Sequence, residues 1–142
     1  MTSLAKAEWG RDGILLVSRV LLMLLFLIFG LTKLTGFDET VTLFAHMDVP
    51  FPTLATLIAI AAEVGIGIAL VAGLFTRPLA VLMAVYTCAT SVLGHHYWSL
   101  AGSERFLAEI AFYKNICIVG GLLLLYLTGP GRYSLDQKLR FL

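Results

Sequence analysis

Charge is scarce in this 142-residue chain. Only 13% of its residues are Asp, Glu, Lys or Arg, against about 25% in an average soluble domain. A surface built to face water on all sides is therefore excluded. The net charge is +1 and no basic cluster is interleaved with aromatics, which removes the electrostatic footprint of a nucleic-acid partner. Cysteine is limited to Cys88 and Cys117, both inside apolar runs. No CxxC is present, so neither a zinc knuckle nor a thioredoxin-type redox pair is written locally. There is no Gly-rich phosphate loop and no Ser/His/Asp arrangement. Apolar residues fill the space that charge leaves: 59% of the chain is hydrophobic, with mean hydropathy +0.92. The chain reads as an all-α integral membrane protein.

About 20 apolar residues cross the roughly 30 Å of bilayer hydrocarbon. Four segments qualify, at about 14–36, 52–75, 78–100 and 106–128. The first is too long for a signal-peptide core and is read as a retained span. Short connections imply a single antiparallel four-helix bundle over 1–142. Pro78, after the turn Thr76-Arg77, is expected to open the third helix. Lys6, Arg11, Arg77, Arg132, Lys138 and Arg140 fall on one side, against Arg105 and the span-end Lys33 on the other. By the positive-inside rule both termini are expected to be cytoplasmic. Residues 38–49 carry Val41, Phe44 and Met47 at helical spacing, as a short outer interfacial helix would. The tail 129–142 is expected to hold a short amphipathic helix, N-capped by Ser134 with Leu135, Leu139 and Leu142 on one stripe. Trp9, Tyr97, Trp98, Tyr126 and Tyr133 lie near the span boundaries, where aromatic belts form.

The informative residues are the polar ones within the spans. A charge at a span centre costs about 2.5–3.5 kcal/mol on insertion scales, so it normally faces the bundle interior and finds a partner. In the first span Arg19, Phe26, Gly30 and Lys33 share one face at about 100° per residue. In the second, Glu63 is followed one turn later by Gly67, which admits a close neighbour. The third offers His95 and His96, which diverge by about 100°. His95 continues the small, polar face of Cys88, Ser91 and Ser99 and is expected inward. His96 is expected outward or at the interface, although either can be an interfacial histidine. In the fourth, Lys114 shares a face with Cys117 and Gly121, while Asn115 reads as an interhelical hydrogen-bonding residue. Counting the helix rise from the outer ends puts Lys33 at ~5 Å, His95 at ~8 Å, Lys114 at ~12 Å and Glu63 at ~16 Å. Lys114 is thus the expected partner of Glu63, with Arg19 second, approaching from below. Cys88 and Cys117 fall at similar depth and could meet, but small free-thiol core filler is the plainer expectation.

Three cations, Arg19, Lys33 and Lys114, then face one acid, a surplus that suits an anionic or quinone-like ligand. His95 adds a group able to move protons near neutral pH. A buried ion pair that only fixes bundle register is the competing reading. A haem bound between His46 and His95 requires a long reach, and a metal at His95 and Glu63 lacks a third ligand.

These residues, taken in order, resemble the DoxX family of small bacterial inner-membrane proteins. The likeness rests on Arg19, Gly30-x-x-Lys33, Glu63, Gly73-Leu74-Phe75-Thr76-Arg77, the His95/His96 pair, and Phe112-x-Lys114-Asn115 before Gly120-Gly121. It extends through the ending Gly129-Pro130-Gly131-Arg132-Tyr133-Ser134-Leu135-Asp136. The resemblance implies a four-helix bundle in the bacterial inner membrane. It also implies a link to quinone and sulfur chemistry, because the related DoxD proteins are membrane subunits of thiosulfate:quinone oxidoreductase. The chain carries no flavin, haem or iron–sulfur motif, so electrons require a partner subunit or the quinone itself.

The expected function is accordingly that of a quinone-interacting membrane subunit of a sulfur or thiol oxidoreductase. Glu63 and His95 are the candidate proton-exchanging residues. Arg19, Phe26, Lys33 and Lys114 are the candidate ligand-binding residues, and Gly67, Asn115 and Gly121 the structural ones. A small-anion carrier or channel, and a non-catalytic membrane anchor for soluble redox enzymes, are the alternatives. A homo-oligomer is compatible with so small a bundle.

Overall fold

A computed structural model describes the chain over residues 3–139, with side chains from residue 10 onward. The side chains of Lys6 and Trp9, together with Arg140 and Leu142, lie outside the described residues. Every described regular element is helical. Four helical stretches are long and apolar enough to cross a membrane: Gly10–Thr35, Pro52–Ala72, Thr76–Ser99 and Gly102–Thr128. Helices suit this sequence because hydrocarbon offers backbone groups no water, and a helix pairs them all internally. The hydroxyls within the spans follow the same logic. Thr32, Thr56, Thr87 and Ser91 each donate to the carbonyl four residues back, at 2.7–3.0 Å.

Helix α1 (Ser3–Thr35) is followed after Gly36 by α2 (Phe37–His46). The second span comprises α3 (Pro52–Ile60), a π-helical turn at Ala61–Ile66, and α4 (Gly67–Ala72). Gly73 ends it with φ +71°. The N–H of Gly73 donates to Leu70 and that of Leu74 to Ala69, the paired closure that glycine permits at a helix C-terminus. Helix α5 (Thr76–Gly94) starts two residues before Pro78, which lies within its first turn. It stops at Gly94, short of the expected residue 100. The chain then passes through His95 and His96 into a 3-10 turn at Tyr97–Ser99. That turn is held against α6 (Gly102–Thr128) by rings of Tyr97, Trp98 and Phe112 at centroid distances of 5.4–6.0 Å. A last short helix, α7 (Leu135–Leu139), has Ser134 at its N-cap, where Ser134 Oγ accepts the Gln137 N–H at 3.3 Å.

Helix α1 packs along the whole second span, and α5 packs chiefly on α6. The two pairs close around Met23, Phe26, Leu70, Met83, Leu122 and Leu125. Most other leucines and valines face outward, as lipid solvation permits. Cys88 and Cys117 are free and also face outward, so they are neither core filler nor a disulfide.

Candidate functional site

Glu63 sits inside the π-helical turn and is 7% exposed. Such turns are rare and recur at functional sites. Glu63 Oε2 accepts a hydrogen bond from Lys33 Nζ at 2.8 Å, and Oε1 accepts one from Tyr86 Oη at 2.6 Å. Gly30 makes this possible. A Cβ there would lie 2.7 Å from Glu63 Cβ and 3.2 Å from the Glu63 carbonyl carbon, so only glycine lets α1 come this close.

Lys33, not Lys114, is therefore the partner of Glu63. Counting depth from the span ends misses it because the Gly30 contact sets Glu63 about one turn from Lys33 rather than two, and because side chains lean toward the N-terminus of their own helix. Lys33 leans from α1 down into the bundle. Glu63 stands on an antiparallel helix and leans up to meet it. Lys114, on α6, leans toward the α2 end, where His95 lies. Gly67 does not adjoin the carboxylate. It receives Leu27, whose Cδ2 would stand 3.0 Å from an added Cβ. Gly121 receives Leu22 in the same way.

Above the Glu63 pair lies a cavity of about 600 Å³. Phe26, Lys33, Glu63, His95, Lys114 and Asn115 all line it. Asn115 is a cavity residue rather than an interhelical tie: among the described residues it makes no hydrogen bond. Lys114 likewise has no ion pair or hydrogen bond among the described residues. The remaining wall is mainly apolar. Phe44, Met47, Phe51 and Leu54 supply the side beneath α2 and the following loop. That loop holds two non-glycine residues at positive φ, Asp48 and Phe51. Each such residue stores about 1–3 kcal/mol of strain, a feature that clusters at ligand-binding segments. His96 is not on the cavity; its Nδ1 lies 3.0 Å from the Leu93 carbonyl oxygen. Among the described residues, no group of three His, Cys, Asp or Glu side chains stands close enough for a metal.

Arg19 is not brought to the cavity. It is fully buried near the opposite end of the bundle, where Nη2 donates to the Tyr133 carbonyl. Nε and Nη1 have no hydrogen-bond partner among the described residues, and Asp136 is the acid whose charge reaches the guanidinium. Asp136 in turn accepts the N–H groups of Phe75 at 2.6 Å and Thr76 at 2.9 Å. Its own N–H donates to the Gly73 carbonyl at 2.8 Å. A sequence count had no means of folding residues 129–136 back over Arg19.

Tyr86 escaped the sequence reading, as did the glycine role of Gly30. A tyrosine in mid-span, away from the belt regions, was the available signal for the first. The Gly30-x-x-Lys33 spacing was the signal for the second.

The DoxX family model matches residues 14–96, more than half of the chain and a stretch that includes Gly30, Lys33, Glu63 and Tyr86. The chain belongs to the DoxX family. It is 46% identical over 140 residues to the Inner membrane protein YphA of Escherichia coli (strain K12), covering 97% of this chain and 100% of that protein. It is 37% identical over 124 residues to the Inner membrane protein YqjF of the same organism, covering 87% and 90%. A shorter match, 30% over 66 residues, is to the ER-derived vesicles protein ERV29 of Saccharomyces cerevisiae, covering 46% of this chain and 21% of that one. No solved structure matches the chain. Four spanning helices and these two relatives place this DoxX member in the inner membrane as a multi-pass protein.

Proposed function

We propose that the cavity binds a quinone head group and that the chain acts as the quinone-interacting membrane subunit of a sulfur or thiol oxidoreductase. The observation that carries this reading is the Lys33–Glu63–Tyr86 cluster, bonded at 2.8 and 2.6 Å in the wall of a mainly apolar cavity. A quinone needs that combination: apolar walls for its ring and tail, and groups at one end that exchange protons and bond its oxygens. About 600 Å³ lies within the usual range for a small-molecule site.

A bound quinone supplies the two-electron acceptor. The chain's own residues do the rest. Tyr86 donates its phenolic O–H to the Glu63 carboxylate across a short bond, and the two form a proton path at the cavity wall. Lys33 holds the carboxylate in place. Lys114 and His95 line the α2 end of the same space, where the unpaired ammonium can bond an oxygen that gains charge. Two thiols joining as a disulfide release two electrons and two protons, which match those taken up in forming a quinol. Electrons enter through a partner protein. The Arg and Lys distribution supports an orientation with both termini cytoplasmic, α2 and the cavity then lying toward the outer face.

Glu63→Gln tests the reading. Membranes containing this variant should reduce a short-chain benzoquinone more slowly with thiosulfate or a soluble thiol as donor, while insertion stays normal. Unchanged turnover would sink the mechanism. The free Lys114 ammonium favours one second reading, a small-anion carrier. Anion flux in liposomes without any electron donor would select it.

A further inference from the structure

The roof and the side of the cavity are built differently. At the roof, α2 packs on α3 and brings Phe44 and Met47 over the space. Met47 reaches as far as α5, where its Cε would stand 3.8 Å from a Cβ on Gly94. Water above the bundle therefore meets an apolar cover. On the side, α5 touches the second span along the π-helical turn and α4, and the Tyr86–Glu63 bond joins them there. Above that bond the seam is lined by small residues: Ala55 and Ala59 on α3, Ala89 and Thr90 on α5. Ala59 and Ala55 continue the face of Glu63 at four-residue steps, and Ala89 and Thr90 follow Tyr86 by three and four, so the two rows face each other.

Ile58 and Leu93 flank this seam. Each lines the cavity and is also exposed, at 53% and 47%. Both lie within spanning segments, Pro52–Ala72 and Thr76–Ser99. A residue exposed at that depth meets hydrocarbon rather than water, so the cavity runs on into the bilayer between α3 and α5. The seam on the other side, between α1 and α6, has a different chemistry. Lys114 stands about two turns before Gly121, the residue that receives Leu22 of α1, and so shares its α1-facing stripe. An ammonium there suits a polar head group and opposes an apolar chain.

We infer that the cavity takes its ligand sideways from the bilayer, between α3 and α5, and that the ligand is a membrane-borne amphiphile. Its apolar tail lies in the seam beside Ile58 and Leu93 while its head group reaches Tyr86 and Glu63. The inference rests on the quinone reading and narrows it to quinones that carry an isoprenoid tail and never leave the membrane. The tail gains little energy in the seam, because lipid chains are as apolar as the side chains it meets there. The seam thus sets the route and the orientation of the ligand rather than its affinity.

The test uses the full chain in lipid nanodiscs that hold, at equal mole fraction, a benzoquinone with or without an isoprenoid tail. Bound quinone is read by native mass spectrometry against bulk lipid. Ile58→Trp and Leu93→Trp set a large ring in the seam from lipid-facing positions, where added apolar bulk spares the core. Each should lower retention of the tailed quinone about tenfold, as overpacking of a filled contact does, and leave the tailless one bound as before. Leu57→Trp and Val92→Trp, exposed on the same two helices but off the cavity, should change neither. Undiminished retention of the tailed quinone in both seam variants would overturn the inference and leave the quinone reading standing. Equal loss of both quinones would also defeat it, since the rings then act on the head group. A wild-type chain that retains neither quinone above the bulk ratio would remove the quinone reading and this inference together. A photoreactive diazirine in the isoprenoid tail should label the peptides carrying residues 54–58 and 89–93. Equal labelling there by a phospholipid with the same group in its acyl chain would assign the seam to ordinary lipid and overturn the inference.

Discussion

The bundle buries charge at both ends, in different ways. At the tail end Arg19 and Asp136 are sealed. Backbone amides, a backbone carbonyl and the folded-back 129–136 segment enclose them. At the α2 end Lys33 and Glu63 are bonded to each other and to Tyr86, yet they border a cavity. A sealed charge ties elements together, and its removal should be felt as lost stability. A charge beside a cavity is available to a ligand, and its neutralisation should be felt mainly in binding or turnover.

The contrast can be tested by thermal or denaturant unfolding in micelles. Gly73→Val should have the largest effect, at least about 3 kcal/mol, because it forces a β-branched residue into left-handed backbone and overpacks a tight site. An added Cβ would overlap Arg19 and stand 2.5 Å from Ser134 Cβ. Asp136→Asn should cost about 2 kcal/mol through lost charge-assisted bonds to the α5 amides. Lys33→Met should cost less, about 1 kcal/mol, since the Glu63 partner keeps Tyr86 and the pair is only partly enclosed. A greater loss for Lys33→Met than for Asp136→Asn would break the comparison. Cys88→Ala and Cys117→Ala should each stay within about 0.5 kcal/mol, and a lipid-soluble maleimide should label both thiols.

Much of this was legible in the sequence. The four spans, the inward placement of Glu63 and the Ser134 cap follow from hydropathy, helical facing and capping chemistry. The common cavity of Phe26, Lys33, Glu63, His95 and Lys114 follows largely from the same facing rule. What could not be read was the direction of lean. The depth count separates Lys33 from Glu63 by about two turns, but the Gly30 contact brings Glu63 within about one turn of Lys33, and opposed side-chain tilt closes the rest. Helix facing also places Arg19 correctly on the inner face of α1. It says nothing of the residues 129–136 that return to cover it. The outward Cys88 shows the limit of a small-residue stripe as a guide to burial, since in lipid a small residue is not penalised for facing out.

The central claim is that the cavity above Glu63 holds a quinone. Ala55 lines that cavity about two helical turns from Glu63, so Ala55→Trp should fill the space while the Lys33–Glu63–Tyr86 bonds still form. Both proteins would be purified from the same membranes, and their extracted quinone quantified by mass spectrometry against bulk phospholipid. Enrichment of quinone with the wild type, falling to the bulk ratio in Ala55→Trp, is the expected result. The same quinone-to-phospholipid ratio in both proteins would contradict it.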